Sequence, residues 1–403
     1  MSRNVLITGL GAISAPGLNI PAFWDALKAG RTAIKPLIPA VDDVKISVAA
    51  QLADFVPEYY FSSGELTLLD RYSQLAVIAA SEAINDAGLI NNEKILTNTA
   101  IIVGSGCCAK HTDEETCVAL YKQLRSRVHP LTIPKGMPSA AANMVSMHLG
   151  IKGPAFVISS ACASGSHAII QGMCMIQSGI VDVALVGASD APFTYGLLKS
   201  WDALRVVSND TCRPFCKDRS GLILGEGAGM LVLESEEHAI KRGARIYAEL
   251  AGSGMTSDAA HITRPDKTSI SNAMNRAMNH ANLNSNDVDY INAHGTGTEV
   301  NDITETQAIH QVFGNHAKDL VVSSTKAIHG HALGASSALE IIVTTLALHH
   351  GIVPPTANFT VADEQCDLDY VPNIARKQEI TAAISNAFAF GGLNAVIALK
   401  KYT

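Results

Sequence analysis

Val5-Leu6-Ile7-Thr8-Gly9-Leu10-Gly11, near the start of the chain, has a counterpart in Ala248-Glu249-Leu250-Ala251-Gly252-Ser253-Gly254, in its second half. Each reads as a strand running into a glycine turn. The stretches after them are also alike. In the first half a helix-like stretch, Ser73 to Asp86, ends at Ala87-Gly88-Leu89 and leads to the strand Thr99-Ala100-Ile101-Ile102-Val103 and the turn Gly104-Ser105-Gly106. In the second half a helix-like stretch, Ser269 to His280, ends at Ala281-Asn282-Leu283. It leads to the strand Val288-Asp289-Tyr290-Ile291-Asn292 and the turn His294-Gly295-Thr296-Gly297. An internal repeat of roughly two hundred residues decides the fold ahead of local propensity.

Both halves alternate strands and helices. Near-continuous apolar strands such as Val181 to Val186 and Gly229 to Leu233 suit sheets covered by helices on both faces. The expected fold is α/β, with two duplicated halves packed as α/β/α/β/α layers. The seam is placed near residue 250, giving units 1–250 and 251–403.

Bulk properties narrow the function. The 403 residues are 47% hydrophobic and 17% charged, which suits a large buried core. A formal net charge of −7 argues against a nucleic-acid partner, which needs clustered Lys and Arg. Eight cysteines, at 107, 108, 117, 162, 174, 212, 216 and 366, form no CxxC pair, so reduced thiols in a cytoplasm are expected. The N-terminus lacks a basic region followed by a long apolar run, and no apolar run is long enough to span a bilayer.

Four segments carry chemistry. Cys162, in Ser159-Ser160-Ala161-Cys162-Ala163-Ser164-Gly165, falls between an apolar run and a helix-like run. At such a helix start, free N–H groups and the macrodipole favour an anion, so a stabilised thiolate nucleophile is expected there. His294 follows a strand among glycines. Lys326 lies in Ser323-Ser324-Thr325-Lys326, ahead of His331 and of a helix-like run bearing Glu340. The last segment is Asn386-Ala387-Phe388-Ala389-Phe390-Gly391-Gly392-Leu393-Asn394. His329 and His331 have no carboxylate or Cys at ligand spacing beside them, so no metal site and no cofactor are expected.

Together, in this order, the segments resemble the β-ketoacyl-acyl carrier protein synthases of the Cys-His-His type. The resemblance spans the chain and includes Cys212-Arg213-Pro214-Phe215 and Leu224-Gly225-Glu226-Gly227-Ala228-Gly229. It implies a thiolase-like fold of duplicated βαβαβαββ halves, and an acyltransferase performing a decarboxylative Claisen condensation with a malonyl carrier protein. Cys162 would hold the acyl chain, and the N–H groups of Cys162 and Phe390 would form the oxyanion hole. His294 and His331 would donate to the malonyl thioester carbonyl. Lys326 would organise the histidines, with Glu340 as its partner. Thr296 and Thr298 would contact substrate, and Phe390 would gate the acyl pocket.

The chain departs from the housekeeping enzymes in several places. Cys216 stands where Asp is usual, and Ala387, Ala389 and Leu393 where Ser, Gly and Thr are usual. A Cβ at Ala389 is expected to restrict positive φ beside Phe390 and stiffen the gate. Leu68 and Leu69 precede Asp70-Arg71 where basic residues are common. These changes point to a specialised pathway, such as an aryl polyene or other type II polyketide system. An acidic acyl carrier protein should dock on a local basic patch drawn from Arg71, Arg125, Arg127, Lys135, Arg205 and Lys217. The chain is expected to act as a homodimer, or as a heterodimer with a chain-length-factor-like subunit. Two alternatives are weighed against this. A non-catalytic chain-length-factor-type subunit would lack the nucleophile. A CoA-dependent thiolase would carry a second late cysteine followed by Gly, which Cys366 does not match.

Overall fold

The computed structural model describes residues 3–403. Ten strands form two sets of five. The first set is β1 (Val5–Ser14), β2 (Ala100–Gly104), β3 (Ala155–Ile158), β4 (Val183–Asp190) and β5 (Gly227–Ser235). The second is β6 (Ala248–Ser257), β7 (Tyr290–Asn292), β8 (Val321–Ser323), β9 (Ala382–Ala389) and β10 (Leu393–Lys400). In space the orders are β1-β5-β4-β2-β3 and β6-β10-β9-β7-β8. Each strand of the second set therefore takes the place of the strand five earlier.

The directions repeat as well. β2 is parallel to β3 and β4, while β4–β5 and β5–β1 are antiparallel. β7 is parallel to β8 and β9, while β9–β10 and β10–β6 are antiparallel. The sets meet where Leu6 pairs with Glu249 and Ile7 with Ala248.

Six helices frame the strands that build the site: α1 (Arg71–Asp86), α2 (Ser164–Gln177), α3 (Tyr195–Leu204), α4 (Lys267–His280), α5 (Glu299–Phe313) and α6 (Gly334–His350). α1 packs on β1, β5 and β4, and α4 on β6 and β10. α2 and α6 pack on each other and on strands of both sets. The result is the expected α/β/α/β/α stack, a thiolase-like fold. Gly334 to Leu348 of α6 are all buried, Ser336 and Glu340 included, so the polar side chains of this helix must find their partners inside the protein. Among the described residues, no helix is long and apolar enough to cross a membrane.

The opening motif folds differently from its sequence reading. Gly9 and Gly11 do not turn the chain; they lie inside β1, and Gly252 and Gly254 lie inside β6. A Cβ at Gly9 or Gly11 would come within 3.0 Å of the carbonyl oxygens of Ala83 and Ala79 on α1. A Cβ at Gly252 or Gly254 would meet Ala277 and Ala273 on α4 in the same way. The glycines repeat because a helix backbone lies directly on each strand. Both helices also begin two residues before the sequence reading. Asp70 and Asp266 cap them by accepting from the amides of Tyr72 and Ser269.

Candidate active site

Four strand ends converge. Cys162 follows β3, His294 follows β7, Lys326 follows β8 and Phe390 follows β9. β3 and β8 are equivalent in the repeat, so the thiol and the ammonium leave matching positions of the two units. His331 lies just ahead of α6.

The structure brings together the residues expected in the site. His331 Nε2 lies 3.1 Å from Cys162 Sγ. The rings of His294 and His331 stand edge to face with centroids 5.6 Å apart. Lys326 Nζ lies 3.4 Å from His294 Nδ1, and its ammonium pairs with Glu340. An ammonium only donates, so His294 Nδ1 is the acceptor and Nε2 carries the proton. His331 is fixed likewise. Ser336 Oγ accepts from the amide of Ala332 at 2.7 Å and lies 3.0 Å from His331 Nδ1. A hydroxyl that already accepts there donates to Nδ1, which leaves the proton of His331 on Nε2, facing the sulfur. The site thus holds two neutral imidazoles, each with an Nε2–H donor.

The electrostatics favour those states. Burial, then the Lys326 charge, hold His294 and His331 well below the usual imidazole range. Burial lifts Glu340 above the usual carboxylate range, and the Lys326 ammonium opposes that rise. The expectation of a preformed thiolate is overturned. Cys162 is 6% exposed, and burial pushes its thiol up to about 11. The charge of Lys326 and the amides of Phe390 and Cys162 itself pull the other way and lose. The cysteine also sits in a short 3-10 turn ahead of α2 rather than in the first turn of the helix.

Three further residues escape a reading of the sequence. Glu305 on α5 accepts from the amides of His294 and Gly295, both at 2.8 Å, and so holds the histidine turn. Its only trace in the sequence is an acidic residue eleven positions after His294. Ser336 is the second, and Trp201 the third.

A cavity of about 480 Å³ reaches Cys162, His294 and His331 and is also lined by Thr296, Thr298, Trp201 and Phe390. The hydroxyls of Thr296 and Thr298 lie 2.8 Å apart. Phe390 stacks on Trp201 of α3, with centroids 6.2 Å apart. Ala389 does not strain this segment. It ends β9 in extended backbone, and the positive φ angles fall on Gly391 (83°) and Gly392 (72°). The glycines that the turn needs are present.

Of the expected docking cations, Arg125, Arg127, Arg205 and Lys217 are exposed, and Lys135 lies 3.8 Å from Glu115. Arg71 is excluded from the patch. Its guanidinium grips both oxygens of the buried Glu226, at 2.7 and 2.9 Å, and is committed to the interior.

Two family models match the chain: "Beta-ketoacyl synthase, N-terminal domain" over residues 2–239 and "Beta-ketoacyl synthase, C-terminal domain" over residues 247–360. "Nodulation protein E" of Rhizobium sp. (strain N33) is 46% identical over 402 residues, covering 100% of both chains. "3-oxoacyl-[acyl-carrier-protein] synthase 2" of Staphylococcus aureus (strain COL) is 41% identical over 413 residues, again covering 100% of both. The solved structure "The ishigamide ketosynthase/chain length factor" superposes with a TM-score of 0.95 at 34% identity, covering 100% of both chains.

Proposed function

The chain belongs to the β-ketoacyl synthase family, and on that premise we propose that it elongates an acyl chain by decarboxylative condensation, with Cys162, His294, Lys326 and His331 as its catalytic set. The observation that carries this reading is the contact of His331 Nε2 with Cys162 Sγ, beside a second neutral imidazole.

The reaction divides into two half-reactions. In the first, the Cys162 sulfur attacks the acyl thioester, the bond to the carrier's sulfur breaks, and the thiol proton ends on that sulfur. A neutral resting thiol suits this exchange, because the proton leaves with the departing group. In the second, a malonyl thioester loses CO2. The Nε2–H groups of His294 and His331 donate to its carbonyl oxygen as enolate charge develops. The enolate carbon then attacks the Cys162 thioester, the carbon–sulfur bond breaks, and the released sulfur takes up a proton from solvent to restore the resting thiol. The Cys162 and Phe390 amides serve the oxyanion, where one donor contributes about 3–4 kcal/mol. Burial and the Lys326 charge keep both imidazoles neutral, and Lys326 is itself held by Glu340. Thr296 and Thr298 are assigned to the malonyl arm, and Phe390 to the gate.

The partner is an acyl carrier protein, docked through Arg125, Arg127, Arg205, Lys217 and Lys135. The chain works in the cytoplasm as a pair, with a second copy or a chain-length-factor-like subunit. Strand β3 supports the pairing: it ends the sheet with one edge unpaired among the described residues. Tyr121, Leu124 and Ile133 add large apolar side chains, 78%, 82% and 78% exposed. The two duplicated units are 1–250 and 251–403, a boundary that falls inside β6 (Ala248–Ser257), the first strand of the second set.

Incubation with acyl and malonyl carrier proteins, followed by intact-mass analysis and CO2 measurement, tests the assignment. Cys162→Ala should stay folded and take no acyl group; His294→Ala and His331→Ala should each stop CO2 release. Acylation of Cys162→Ala at the wild-type rate, or normal CO2 release from both histidine variants, would refute it.

A further inference from the structure

The turn that carries Cys162 is strained, and a hydroxyl with no part in the two half-reactions holds it in place. Ala161 has φ +50°, the left-handed region, which costs a non-glycine residue about 1–2 kcal/mol. Ser164 Oγ bridges this turn. It accepts from the amide of Ser160 at 2.9 Å and donates to the carbonyl of Ala161 at 2.7 Å. One hydroxyl therefore joins the residue before the strained position to the strained residue's own carbonyl.

The brace cannot drift. Ser164 is fully buried. Gly104 and Gly334 press on it so closely that a Cβ on either would come within 3.0 Å of Ser164 atoms. A second brace lies outside the first: Ser160 Oγ sits 2.8 Å from His167 Nδ1, which is also 3.1 Å from the carbonyl of Ala163. With the Ala161 carbonyl turned back onto Ser164, the Cys162 amide at the other end of the same peptide is turned away from the helix, toward the sulfur.

We infer that Ser164 is a positioning residue for acyl transfer: its hydroxyl holds Ala161 left-handed and thereby aims the Cys162 N–H at the oxyanion of the tetrahedral intermediate. In that step the new bond is Cys162 Sγ to the acyl carbon, the broken bond is acyl carbon to the carrier's sulfur, and the thiol proton passes to the departing sulfur. The inference rests on Cys162 being the nucleophile.

A double-mutant cycle tests it. Single-turnover acylation by an acyl carrier protein is followed by intact mass for wild type, Ser164→Ala, Ala161→Gly and the double variant, with Cys162→Ala as control. Ser164→Ala should slow acylation about tenfold, with the KM for the carrier unchanged. Glycine adopts positive φ without strain, so in the Ala161→Gly background the same substitution should cost at most about threefold. Should Ser164→Ala fail to fold, His167→Ala, at a half-buried position, replaces it in the same cycle. Wild-type acylation of the brace variant, or an equal slowing in both backgrounds, would overturn the inference. Acyl transfer to the Cys162→Ala control would instead remove the nucleophile assignment beneath it.

Discussion

His331 and Cys162 lie 169 positions apart in sequence, yet His331 Nε2 sits 3.1 Å from the Cys162 sulfur. One belongs to the first unit of the repeat and the other to the second. Packing α2 against α6 across the middle layer brings them together.

A thiol pushed up to about 11 by burial is protonated at rest. Its alkylation by iodoacetamide should rise about tenfold per pH unit between roughly pH 7 and 9, without levelling off. Lys326→Met should slow it further, because the nearest positive charge is lost. A plateau beginning below pH 8 would indicate a preformed thiolate.

Ser336 selects the tautomer of His331 through the 3.0 Å contact to Nδ1. Ser336→Ala should slow CO2 release by about tenfold, the worth of one orienting hydrogen bond. Acylation of Cys162 should be little changed. A variant that slows both steps equally would assign Ser336 to the fold instead.

Lys326 and Glu340 form an ion pair with no exposed surface. Glu340→Leu alone leaves an ammonium buried without its partner and should cost about 3–5 kcal/mol in urea denaturation. Lys326→Met combined with Glu340→Leu should cost clearly less than the two single changes added together, although both variants lose activity. Additive losses would mean that the pair is not coupled.

His329 is buried, and burial followed by the Lys326 charge lowers its pKa to about 3. The unfolded ring takes up a proton below its ordinary value and the folded ring does not. Stability from this group is therefore present above about pH 6.5 and is lost as pH falls toward 3. At pH 5 the loss is about 2 kcal/mol. Buried Asp302, raised to about 6, and Glu340 pull the opposite way, so the diagnostic is a difference. Between pH 7 and 5, His329→Gln should lose about 2 kcal/mol less than wild type by denaturant titration. Parallel curves would contradict this.

Charge reversal at Arg125 and Arg127 should raise the KM for carrier-bound substrates, with the difference shrinking as salt rises. Arg71→Glu should act otherwise, lowering the melting temperature by setting a second carboxylate against buried Glu226. An unchanged KM in the Arg125 and Arg127 variants would place docking elsewhere.

Much of this was readable in one dimension. The duplication, the strand–helix alternation and the four chemical segments are local patterns, because apolar runs, helix ends and glycine-bounded turns are set by neighbours in the chain. Even Gly9, Gly11, Gly252 and Gly254 stood out, although their reason did not: they admit a helix backbone rather than turn the strand. Other features depend on what packs against what. Burial decided that Cys162 rests as a thiol, against the helix-start argument. Contact with Glu226 took Arg71 out of the docking patch, and Glu305, Ser336 and Trp201 gained roles from partners far away in sequence. Sequence by itself determined which groups are present and which turns carry them, since those follow from bonded neighbours. Only the tertiary structure decided their protonation, tautomers and partners, because desolvation and hydrogen bonding depend on atoms that are distant in the chain and meet only on folding.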